Sequence, residues 1–240
     1  MQYPGKIIVI EGIDGAGKST QTNLLIQRCR SEGIKTFSIH FPQHGESVFG
    51  NLIDEYLRGE FGNVASLNPY LISTLYAGDR FEAKAKLEDA LAKNHLIILD
   101  RYLTSNIAYQ RSKLETLDER RSYLRWLRNL EHQIFQIPQE DLVIFLDLPP
   151  EESQRLMNMK DLRSYTNGVV LDKIEQNSDF LTRSYRSYVE AINEESHWKK
   201  VSCLEYGATG LLRSIEEIHE DVWRLVSEFI KRYPDLKARW

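Results

Sequence analysis

One stretch near the N-terminus, Lys6–Thr20 with the sequence KIIVIEGIDGAGKST, limits what this chain can fold into more than any other. Gly12, four further residues, and then Gly17, Lys18 and Ser19 match the P-loop pattern without a gap or a substitution. A short apolar run precedes this loop and a helical pattern follows it, which is the context that a P-loop needs. The backbone N–H groups of such a loop surround phosphates at a helix N-terminus. We therefore expect Lys18 to contact the outer phosphates of a nucleotide and Ser19 to ligate Mg²⁺.

The composition argues against several other kinds of protein. The 240 residues include 31 basic and 35 acidic side chains, and the net charge of −4 is not the electrostatic footprint of a protein that binds nucleic acid or a membrane surface. No run approaches the roughly 18 apolar residues of a membrane span, and the N-terminus lacks the features of a secretion signal. Cys29 and Cys203 have no metal-ligand spacing, so we expect buried free thiols. These features predict a cytoplasmic protein with no nucleic-acid or membrane partner.

Short apolar runs alternate with longer segments of helical periodicity along the chain. The runs that predict strands are 7–10, 35–41, 96–99, 142–148 and 200–204. The segments that predict helices are 18–30, 45–59, 69–93, 105–111, 117–137, 151–159, 173–195 and one around 215–229. This alternation is typical of βαβ units, so we predict an α/β fold of the P-loop NTPase type, with a five-stranded parallel sheet flanked by helices. No linker composition divides the chain, and we predict a single domain over 1–240 with a mobile polar lid at about 158–172.

Charged residues at the ends of the apolar runs are candidates for the site. Asp100 and Arg101 follow the run 96–99, and in P-loop proteins a carboxylate at the end of a neighbouring strand holds Mg²⁺. Asp147 is a rival for this role because it also ends an apolar run, although two prolines follow it. The guanidinium of Arg101 can donate two parallel hydrogen bonds to phosphate oxygens. Asp14, inside the loop, has two interpretations, since it either stabilises the turn or faces a hydroxyl or a metal-bound water.

Blocks of sequence along most of the chain resemble one family, in the order in which that family has them. The blocks are EGIDGAGKST from Glu11, Phe41–Pro42, LIDEYLRGEFG from Leu52, LYAGDR from Leu75, DRYLTSNIAYQ from Asp100, VIFLDLPPE from Val143 and DKIEQNSDFL from Asp172. Through these blocks the chain resembles the thymidylate kinase family. The resemblance implies transfer of the γ-phosphoryl group of ATP to dTMP, with Mg²⁺ as cofactor, to give dTDP and ADP. It also implies a homodimer, formed through an apolar helix face such as that around Leu71–Leu75.

The resemblance further assigns residues to each part of the site. The ATP phosphates would be held by the loop and the lid, through Gly12, Ile13, Asp14, Gly15, Ala16, Gly17, Lys18, Ser19, Thr20 and Lys160. The acceptor nucleotide dTMP would be bound by Asp14, Phe41, Tyr76, Arg80, Arg101, Ser105, Asn106, Tyr109, Gln110 and Tyr165. Catalysis would depend on Lys18, Arg101, Arg163 and Asp14, and the metal would be held by Ser19 and Asp100.

Within the acceptor set, the resemblance implies distinct contacts. Tyr76 would stack on the thymine ring, and Arg80, one helical turn later on the same face, would donate to the base O4. Phe41 would form a wall of the base pocket. Tyr109 would crowd the ribose 2′ position, and Arg101 would bridge the donor and acceptor phosphates.

Two features depart from many relatives. Some relatives have an arginine in the P-loop where this chain has Gly15, and members without it supply the basic group from the lid, which here points to Lys160 and Arg163. The alternative is that these two charged side chains are exposed to solvent and have no role in catalysis. Many relatives also have an arginine for the acceptor phosphate after the Phe-Pro pair, whereas this chain continues Gln43–Gly45. Either His44 binds the acceptor phosphate in place of that arginine, or Arg101 contributes more of the binding.

Other functions remain to be weighed against this one. A kinase for a different nucleotide would share the P-loop, but Tyr76, Arg80 and Asn106 suit a pyrimidine with an O4 acceptor and an N3–H donor. A regulatory GTPase would need a guanine-reading Asn-Lys-x-Asp motif after a strand, and the sequence has none. A nucleotide-binding protein without turnover would not need Lys18, Asp100 and Arg101 together, so their presence argues against this alternative.

Overall fold

The chain is described here from a computed structural model, which covers residues 3–163, 178–205 and 210–237. The strands are β1 (Lys6–Glu11), β2 (Thr36–His40), β3 (Leu96–Asp100), β4 (Leu142–Asp147) and β5 (Trp198–Ser202). The helices are α1 (Lys18–Ser31), α2 (Val48–Arg58), α3 (Pro69–Ala92), α4 (Leu103–Tyr109), α5 (Leu117–Arg128), α6 (Pro150–Arg163), α7 (Ser178–Glu194) and α8 (Ile215–Lys231). Short 3₁₀ turns at Arg111–Lys113 and Pro234–Leu236 and a π-helix at Asn129–Ile134 complete the elements.

The five strands form one sheet in the order β2-β3-β1-β4-β5, and all four neighbouring pairs are parallel. The predicted α/β fold is confirmed. β1 lies at the centre of the sheet, and Ile10 pairs with Asp100 of β3, which in turn pairs with His40 of β2. The carboxyl ends of three strands therefore meet directly beside the loop that follows β1, which is where open parallel sheets bind their ligands.

Both faces of the sheet are covered, so the strands are apolar throughout. On one face, Ile7 and Val9 pack into a core formed with side chains of α3, α4, α5 and α7. On the other face, Ile8 and Ile10 pack with side chains of α1 and α8, among them Leu25 and Val222. Successive residues of β1 point to opposite faces, and burial of both sets explains why the sequence shows a continuous apolar run instead of an alternation.

Local signals set several helix boundaries. α3 begins at Pro69, after Asn68, whose side chain accepts from the N–H groups of Tyr70 and Leu71. α5 begins with a capping box in which Thr116 and Glu119 satisfy each other's backbone N–H groups. The helix predicted over 117–137 is confirmed in part, because α5 ends at Arg128, a π-helical segment continues directly to Ile134, and residues 135–137 are not helical.

The predicted end of the helix over 151–159 also needs correction. α6 continues to Arg163, so residues 158–163 are helical in their backbone and do not begin an irregular loop. The remainder of the predicted lid, 164–172, lies outside the described residues. Among the described helices, none has the length and apolar character to cross a membrane.

Candidate active site

The P-loop joins β1 to α1 and leaves the N-terminus of α1 open. Gly17 precedes the helix in the left-handed conformation, with φ 84°. Within the described chain, no side chain caps the first turn of α1, and that turn carries no acidic residue. Its N–H groups are therefore free to bind an anion, and the helix dipole favours negative charge at this point.

The Lys18 side chain is buried beside this loop. Its Nζ donates to the carbonyl oxygen of Ile13 at 2.9 Å and lies 3.9 Å from a carboxylate oxygen of Asp14. Burial and the positive charge of Arg101 lower the pKa of Lys18 to about 8, even though the neighbouring carboxylates act in the opposite direction. Lys18 is thus a partly desolvated ammonium, and a bound phosphate would stabilise its charged form.

Ser19 and Asp100 lie in contact, as the strand register requires. Ser19 Oγ donates to Asp100 Oδ2 at 2.8 Å. Burial alone would raise the pKa of Asp100, but a hydrogen bond from His40 and the charges of Lys18 and Arg101 lower it to about 2. The other carboxylate oxygen, Oδ1, is buried and has no hydrogen-bond partner among the described residues. The pair thus offers a hydroxyl and an ionised carboxylate to a hard cation.

The rival carboxylate, Asp147, is already used by the protein itself. The Tyr185 hydroxyl donates to its Oδ1 at 2.7 Å, and Lys200 Nζ lies 3.0 Å from its Oδ2. Both oxygens of Asp147 therefore have partners, whereas Asp100 keeps one oxygen without any in the described chain. This difference favours Asp100 as the metal ligand.

Asp14 is the centre of a hydrogen-bonded cluster. Its Oδ1 accepts from the Arg101 guanidinium, and its Oδ2 accepts from the Tyr109 hydroxyl at 2.9 Å. Burial favours the neutral acid, but Arg101, Lys18 and Tyr109 together hold the pKa of Asp14 below its usual value. The carboxylate therefore stays charged and fixes Arg101 in one position.

Arg101 is held in an uncommon backbone conformation. Its φ of 67° lies in the left-handed region, which costs a non-glycine residue about 1–2 kcal/mol. Its guanidinium lies 5.3 Å from the centroid of the Tyr109 ring and 3.4 Å from the carbonyl oxygen of Gly12. Such strain is retained where the surroundings over-determine the conformation, and here it ends β3 and brings the arginine into the cleft.

A single cleft of about 310 Å³ contains most of the predicted site. The predicted residues that line it are Asp14, Gly15, Gly17, Lys18, Ser19, Thr20, Tyr76, Asp100, Arg101, Ser105, Asn106, Tyr109 and Gln110. It also contains His40, Pro42, His44 and Leu57, of which the sequence analysis had considered only His44. Of the other predicted loop residues, Ile13 and Ala16 are buried and contribute to the two core clusters.

Two side-chain amides in the cleft have complementary unpaired atoms. Asn106 and Gln110 are 2% and 1% exposed, and both line the cleft. Asn106 Nδ2, a donor, and Gln110 Oε1, an acceptor, have no partner among the described residues. Because buried polar groups are normally hydrogen-bonded, this pair is suited to a ligand edge with one acceptor and one donor.

The aromatic walls differ from the expected ones. Tyr76 lines the cleft, and its ring lies 6.5 Å from that of Tyr56 at an interplanar angle of 87°. Phe41 does not line the cleft, because it is 1% exposed and packs in the core, 5.6 Å from the Tyr102 ring. Pro42, the next residue, takes that position in the cleft.

Arg80, which the resemblance assigns to the base O4, is held by a buried carboxylate in this structure. Arg80 is 1% exposed, and its guanidinium donates to both carboxylate oxygens of Glu131, at 2.7 and 2.5 Å. Glu131 is itself fully buried and belongs to the π-helix after α5. Arg80 is thus held in a buried ion pair outside the set of residues that line the cleft.

This ion pair yields a stability prediction. We expect Glu131→Leu to lower the free energy of unfolding by about 3–5 kcal/mol, because it leaves the Arg80 charge buried without a partner. The double variant Arg80→Leu, Glu131→Leu should recover much of this loss, since it removes both charges. Urea unfolding of the wild type, the two single variants and the double variant measures the effect. A single variant as stable as the wild type would show that Arg80 has another partner.

The sequence analysis missed a buried carboxylate at the base of the cleft. Glu11 is fully buried and accepts hydrogen bonds from the hydroxyls of Thr104, Ser105 and Tyr188, and from the N–H of Tyr102. It ties β1 to the start of α4 and to α7. A charged residue at the end of an apolar strand was the available signal, and it is the same signal that identified Asp100.

The structure does not describe the side chains of three predicted residues. Lys160 and Arg163 belong to α6 by their backbone, but the structure does not describe their side chains. Tyr165 lies outside the described residues. The first turn of α6 contacts the P-loop, since the Ser153 hydroxyl donates to the Asp14 carbonyl oxygen at 2.5 Å.

Known proteins share this sequence and this fold. The family model described as Thymidylate kinase matches residues 10–209. A thymidylate kinase of Schizosaccharomyces pombe is 30% identical over 226 residues, which cover 94% of this chain and 93% of that protein. A probable thymidylate kinase of Thermococcus onnurineus is 33% identical and covers 94% of this chain and 99% of its own length.

A solved structure agrees with the sequence relatives. The thymidylate kinase of Candida albicans superposes with a TM-score of 0.68 and 26% identity, over 97% of this chain and 95% of that one. The P-loop, the cleft at the carboxyl ends of the strands and these matches along nearly the whole chain lead to the same assignment. The chain belongs to the thymidylate kinase family, the kinases that phosphorylate dTMP at the expense of ATP.

Proposed function

We propose that the cleft holds ATP on the P-loop and dTMP between α3 and α4, with the two nucleotides' phosphates meeting at Arg101. The observation that carries this assignment is the Asp14 cluster, which places the charges of Lys18 and Arg101 together in one cleft. In phosphoryl transfer the protein does little covalent chemistry, so catalysis is positioning and neutralisation of charge. The acceptor phosphate oxygen is already a nucleophile and needs no strong base.

The donor phosphates are assigned to the open N-terminus of α1 and to Lys18. The loop N–H groups would bind phosphate oxygens, and the buried ammonium would add a full positive charge at the outer phosphates. The cleft there is formed by buried side chains, so each of these interactions is stronger than it would be in water.

The residues of the metal site suit Mg²⁺. An unpaired, ionised carboxylate oxygen on Asp100 and the hydroxyl of Ser19 are hard oxygen donors, and Mg²⁺ typically takes one or two such groups together with phosphate oxygens. We assign Ser19 and Asp100 as the residues that hold it. When bound, the ion supplies positive charge to the phosphate oxygens.

The acceptor base is assigned to the amide pair. Asn106 Nδ2 would donate to a thymine carbonyl, and Gln110 Oε1 would accept the base N3–H, which satisfies both unpaired atoms. A cytosine has the opposite polarity at its position 3, where it offers no N–H. Tyr76 would cover one face of the ring, and Tyr109, fixed on Asp14, would lie near the sugar. Because Arg80 is paired with Glu131, we leave it out of the base contacts.

The acceptor phosphate is assigned to Arg101 together with His44. The His44 Nδ1 is hydrogen-bonded to Asp54, and His44 also lines the cleft, so its other ring nitrogen remains available for a phosphate oxygen. Arg101 is oriented by Asp14, which acts as a positioning residue. This arrangement compensates for the absence of an arginine after Pro42 in the sequence.

The basic group that some relatives carry in the P-loop is assigned to α6. Gly15 has φ +78°, and a Cβ there would lie 3.1 Å from the Ser153 carbonyl oxygen and 3.2 Å from the Met157 side chain. A side chain at position 15 would therefore be strained in its backbone and crowded against α6. Lys160 and Arg163 follow on this same helix, which supports their role as the donors that meet the phosphates.

We expect Arg163→Ala to lower kcat with little change in the KM for either nucleotide, because the contact would form as the transition state develops. A loss of about 10²-fold is typical for one charged donor in such a site. Steady-state kinetics with both nucleotides varied separates the two constants. An increase in KM alone would assign Arg163 to ground-state binding instead.

The lowered pKa of Lys18 predicts a pH dependence. Below about pH 8 the free enzyme has a charged Lys18 that can bind phosphate, and above it the neutral amine predominates. We therefore expect kcat/KM for ATP to fall above pH 8, by about tenfold per pH unit. The kcat measured at saturating ATP should stay flat through this range, because bound phosphates keep Lys18 charged. A flat kcat/KM profile up to about pH 10 would contradict the lowered pKa.

Three broader assignments complete the proposal. We assign residues 1–240 to one domain, supported by the single sheet that uses strands from both ends of the chain. A homodimer is supported by three large apolar side chains on neighbouring helices, Val48, Leu71 and Phe81, which are 68%, 69% and 49% exposed. A cytoplasmic location is supported by the two cysteines, which are buried and free.

The test of the substrate assignment is ADP formation from Mg²⁺–ATP with a panel of monophosphates. The panel contains dTMP, dUMP, dCMP, the ribose analogue of dTMP, dAMP and dGMP. Turnover with dTMP, with dUMP second, is the expected result. Turnover with the cytidine or purine nucleotides instead would preserve the phosphoryl-transfer site but overturn the assignment of Asn106 and Gln110.

A further inference from the structure

A second cavity of about 310 Å³ lies away from the cleft just described. Its wall includes Glu140, His197 and Trp198, which stand at the amino-terminal ends of β4 and β5. The P-loop cleft lies at the opposite, carboxyl edge of the same sheet. Leu103 and Ile107 of α4 form an apolar part of the wall. No step of the reaction proposed above uses this cavity.

Two buried polar atoms in the wall lack hydrogen-bond partners in the described part of the chain. They are Glu140 Oε2, on a side chain that is 8% exposed, and the indole Nε1 of Trp198, a residue that is 2% exposed. A buried acceptor or donor without a partner is rare in folded proteins, since each one costs free energy. The active-site cleft shows the same feature at Asn106 and Gln110, where we assign it to the substrate.

The charged groups around this cavity contact one another. Arg128 is paired with Glu195, and His197 lies 3.6 Å from Glu140 Oε1. His132 Nδ1 lies 3.1 Å from the Ile137 carbonyl oxygen. Burial would raise the pKa of Glu140, but the neighbouring His197 ring holds it below its usual value, so the carboxylate is ionised. Among the buried polar atoms of the described wall residues, one acceptor and one donor therefore remain without a partner, beside apolar surface.

We propose that this cavity binds a flat, neutral heterocycle with a ring N–H next to a carbonyl oxygen, as in an N1-substituted pyrimidine-2,4-dione. The ring N–H would donate to Glu140 Oε2, and the carbonyl would accept from the Trp198 indole N–H. Leu103 and Ile107 would cover a face of the ring, and the cavity volume lies at the lower end of the range for small-ligand pockets. Arg128 and Glu195 of the wall neutralise each other, and the Glu140 carboxylate lies beside the His197 ring, which leaves no unpaired cation to attract an anionic ligand.

The position of α4 links the two cavities. Leu103 and Ile107 contact the second cavity, while Ser105, Asn106 and Tyr109 of the same helix line the active-site cleft. The proposal does not depend on the roles assigned in that cleft, because it rests on the second cavity alone.

The probe is 1-methylthymine, with thymidine in a second series to distinguish a free base from a nucleoside. Both are titrated into ¹⁵N-labelled protein whose active-site cleft is saturated with dTMP, and the indole N–H signals are followed by NMR. The Trp198 signal is assigned by its loss in Trp198→Phe. We expect a saturable shift of this signal with at least one probe. The control 1,3-dimethylthymine, which lacks the ring N–H, should bind about tenfold more weakly or worse.

Two variants separate a specific site from a general apolar pocket. Glu140→Gln keeps the shape of the side chain but places a donor where the ligand also donates, and it should lower the affinity about tenfold or more. The matched control is Glu195→Gln, on the same wall, where the affinity should change much less. Equal binding of both methylated compounds, no effect of Glu140→Gln, or no saturable shift at millimolar probe would overturn the proposal and leave water as the occupant. dTMP kinase activity, measured in parallel, reports whether each variant is folded.

Discussion

Lys18→Met is expected to lower kcat by about 10³-fold while the protein remains folded. Lys18 provides an ammonium that is buried against the P-loop, where Nζ donates to the Ile13 carbonyl oxygen at 2.9 Å. Methionine keeps an unbranched side chain of similar length, so the packing beside Asp14 is largely preserved. Because burial already disfavours the charged form of Lys18, its removal should not destabilise the empty enzyme.

The measurement is steady-state kinetics with saturating Mg²⁺–ATP and dTMP, together with urea unfolding. Lys35→Met is the matched control, because Lys35 is exposed just before β2, and the kinetics of this variant should equal those of the wild type. A Lys18→Met enzyme within tenfold of wild-type kcat would remove Lys18 from the phosphoryl-transfer machinery. The pH dependence described above should disappear in the same variant.

Arg101→Ala is expected to have the second largest effect, a loss of about 10²–10³-fold in kcat. The guanidinium is fixed by Asp14 and by the Tyr109 ring, and it is the group we assign to both phosphates. Arg101→Lys should recover little of the activity, since an ammonium cannot form two parallel hydrogen bonds with a phosphate. If Arg101 only supplied charge, the lysine variant would recover most of the activity.

Arg121→Ala serves as the control for Arg101→Ala. Arg121 is 70% exposed and lies 3.9 Å from the exposed Asp118, so its removal should leave kcat unchanged. Circular dichroism and urea unfolding show whether the Arg101 variants are folded. An unchanged kcat in folded Arg101→Ala would assign the acceptor phosphate to His44 alone.

The central part of this site could be predicted from the sequence because its signals are local. The P-loop spacing determines the backbone around Gly17, and the apolar runs determine the strands. From these two features it follows that Ser19 and Asp100 meet, since parallel strands place their carboxyl ends together. This part of the site can be predicted without knowing which distant side chains pair with one another.

The surroundings of Arg80 could not be predicted in the same way. Its partner Glu131 is 51 residues away and reaches it from a π-helical segment, which has no simple periodicity in sequence. Helical spacing correctly places Tyr76 and Arg80 one turn apart. It does not indicate which side chain of a distant element pairs with Arg80. For Phe41 the ambiguity was different, because a core position and a pocket wall require the same apolar residue.

The extent of α6 was misjudged although a signal existed. The sequence pattern predicts a helix only over 151–159 and a polar lid from about 158, although the segment 151–167 contains neither glycine nor proline. The helix is stabilised by contacts that composition does not show, such as the Ser153 hydroxyl on the P-loop carbonyl of Asp14. Tertiary packing here overrides the weak local preference.

The close approach of α6 to Gly15 links the source of the positive charge to the packing of this helix. A Cβ at position 15 would lie 3.1 Å from the Ser153 carbonyl oxygen and 3.2 Å from the Met157 side chain, and the φ of +78° is strained for any side chain. Gly15→Arg would therefore require small shifts in α6, the helix that also bears Lys160 and Arg163. A basic residue added to the P-loop would thus also change the position of the helix that carries the other two basic residues.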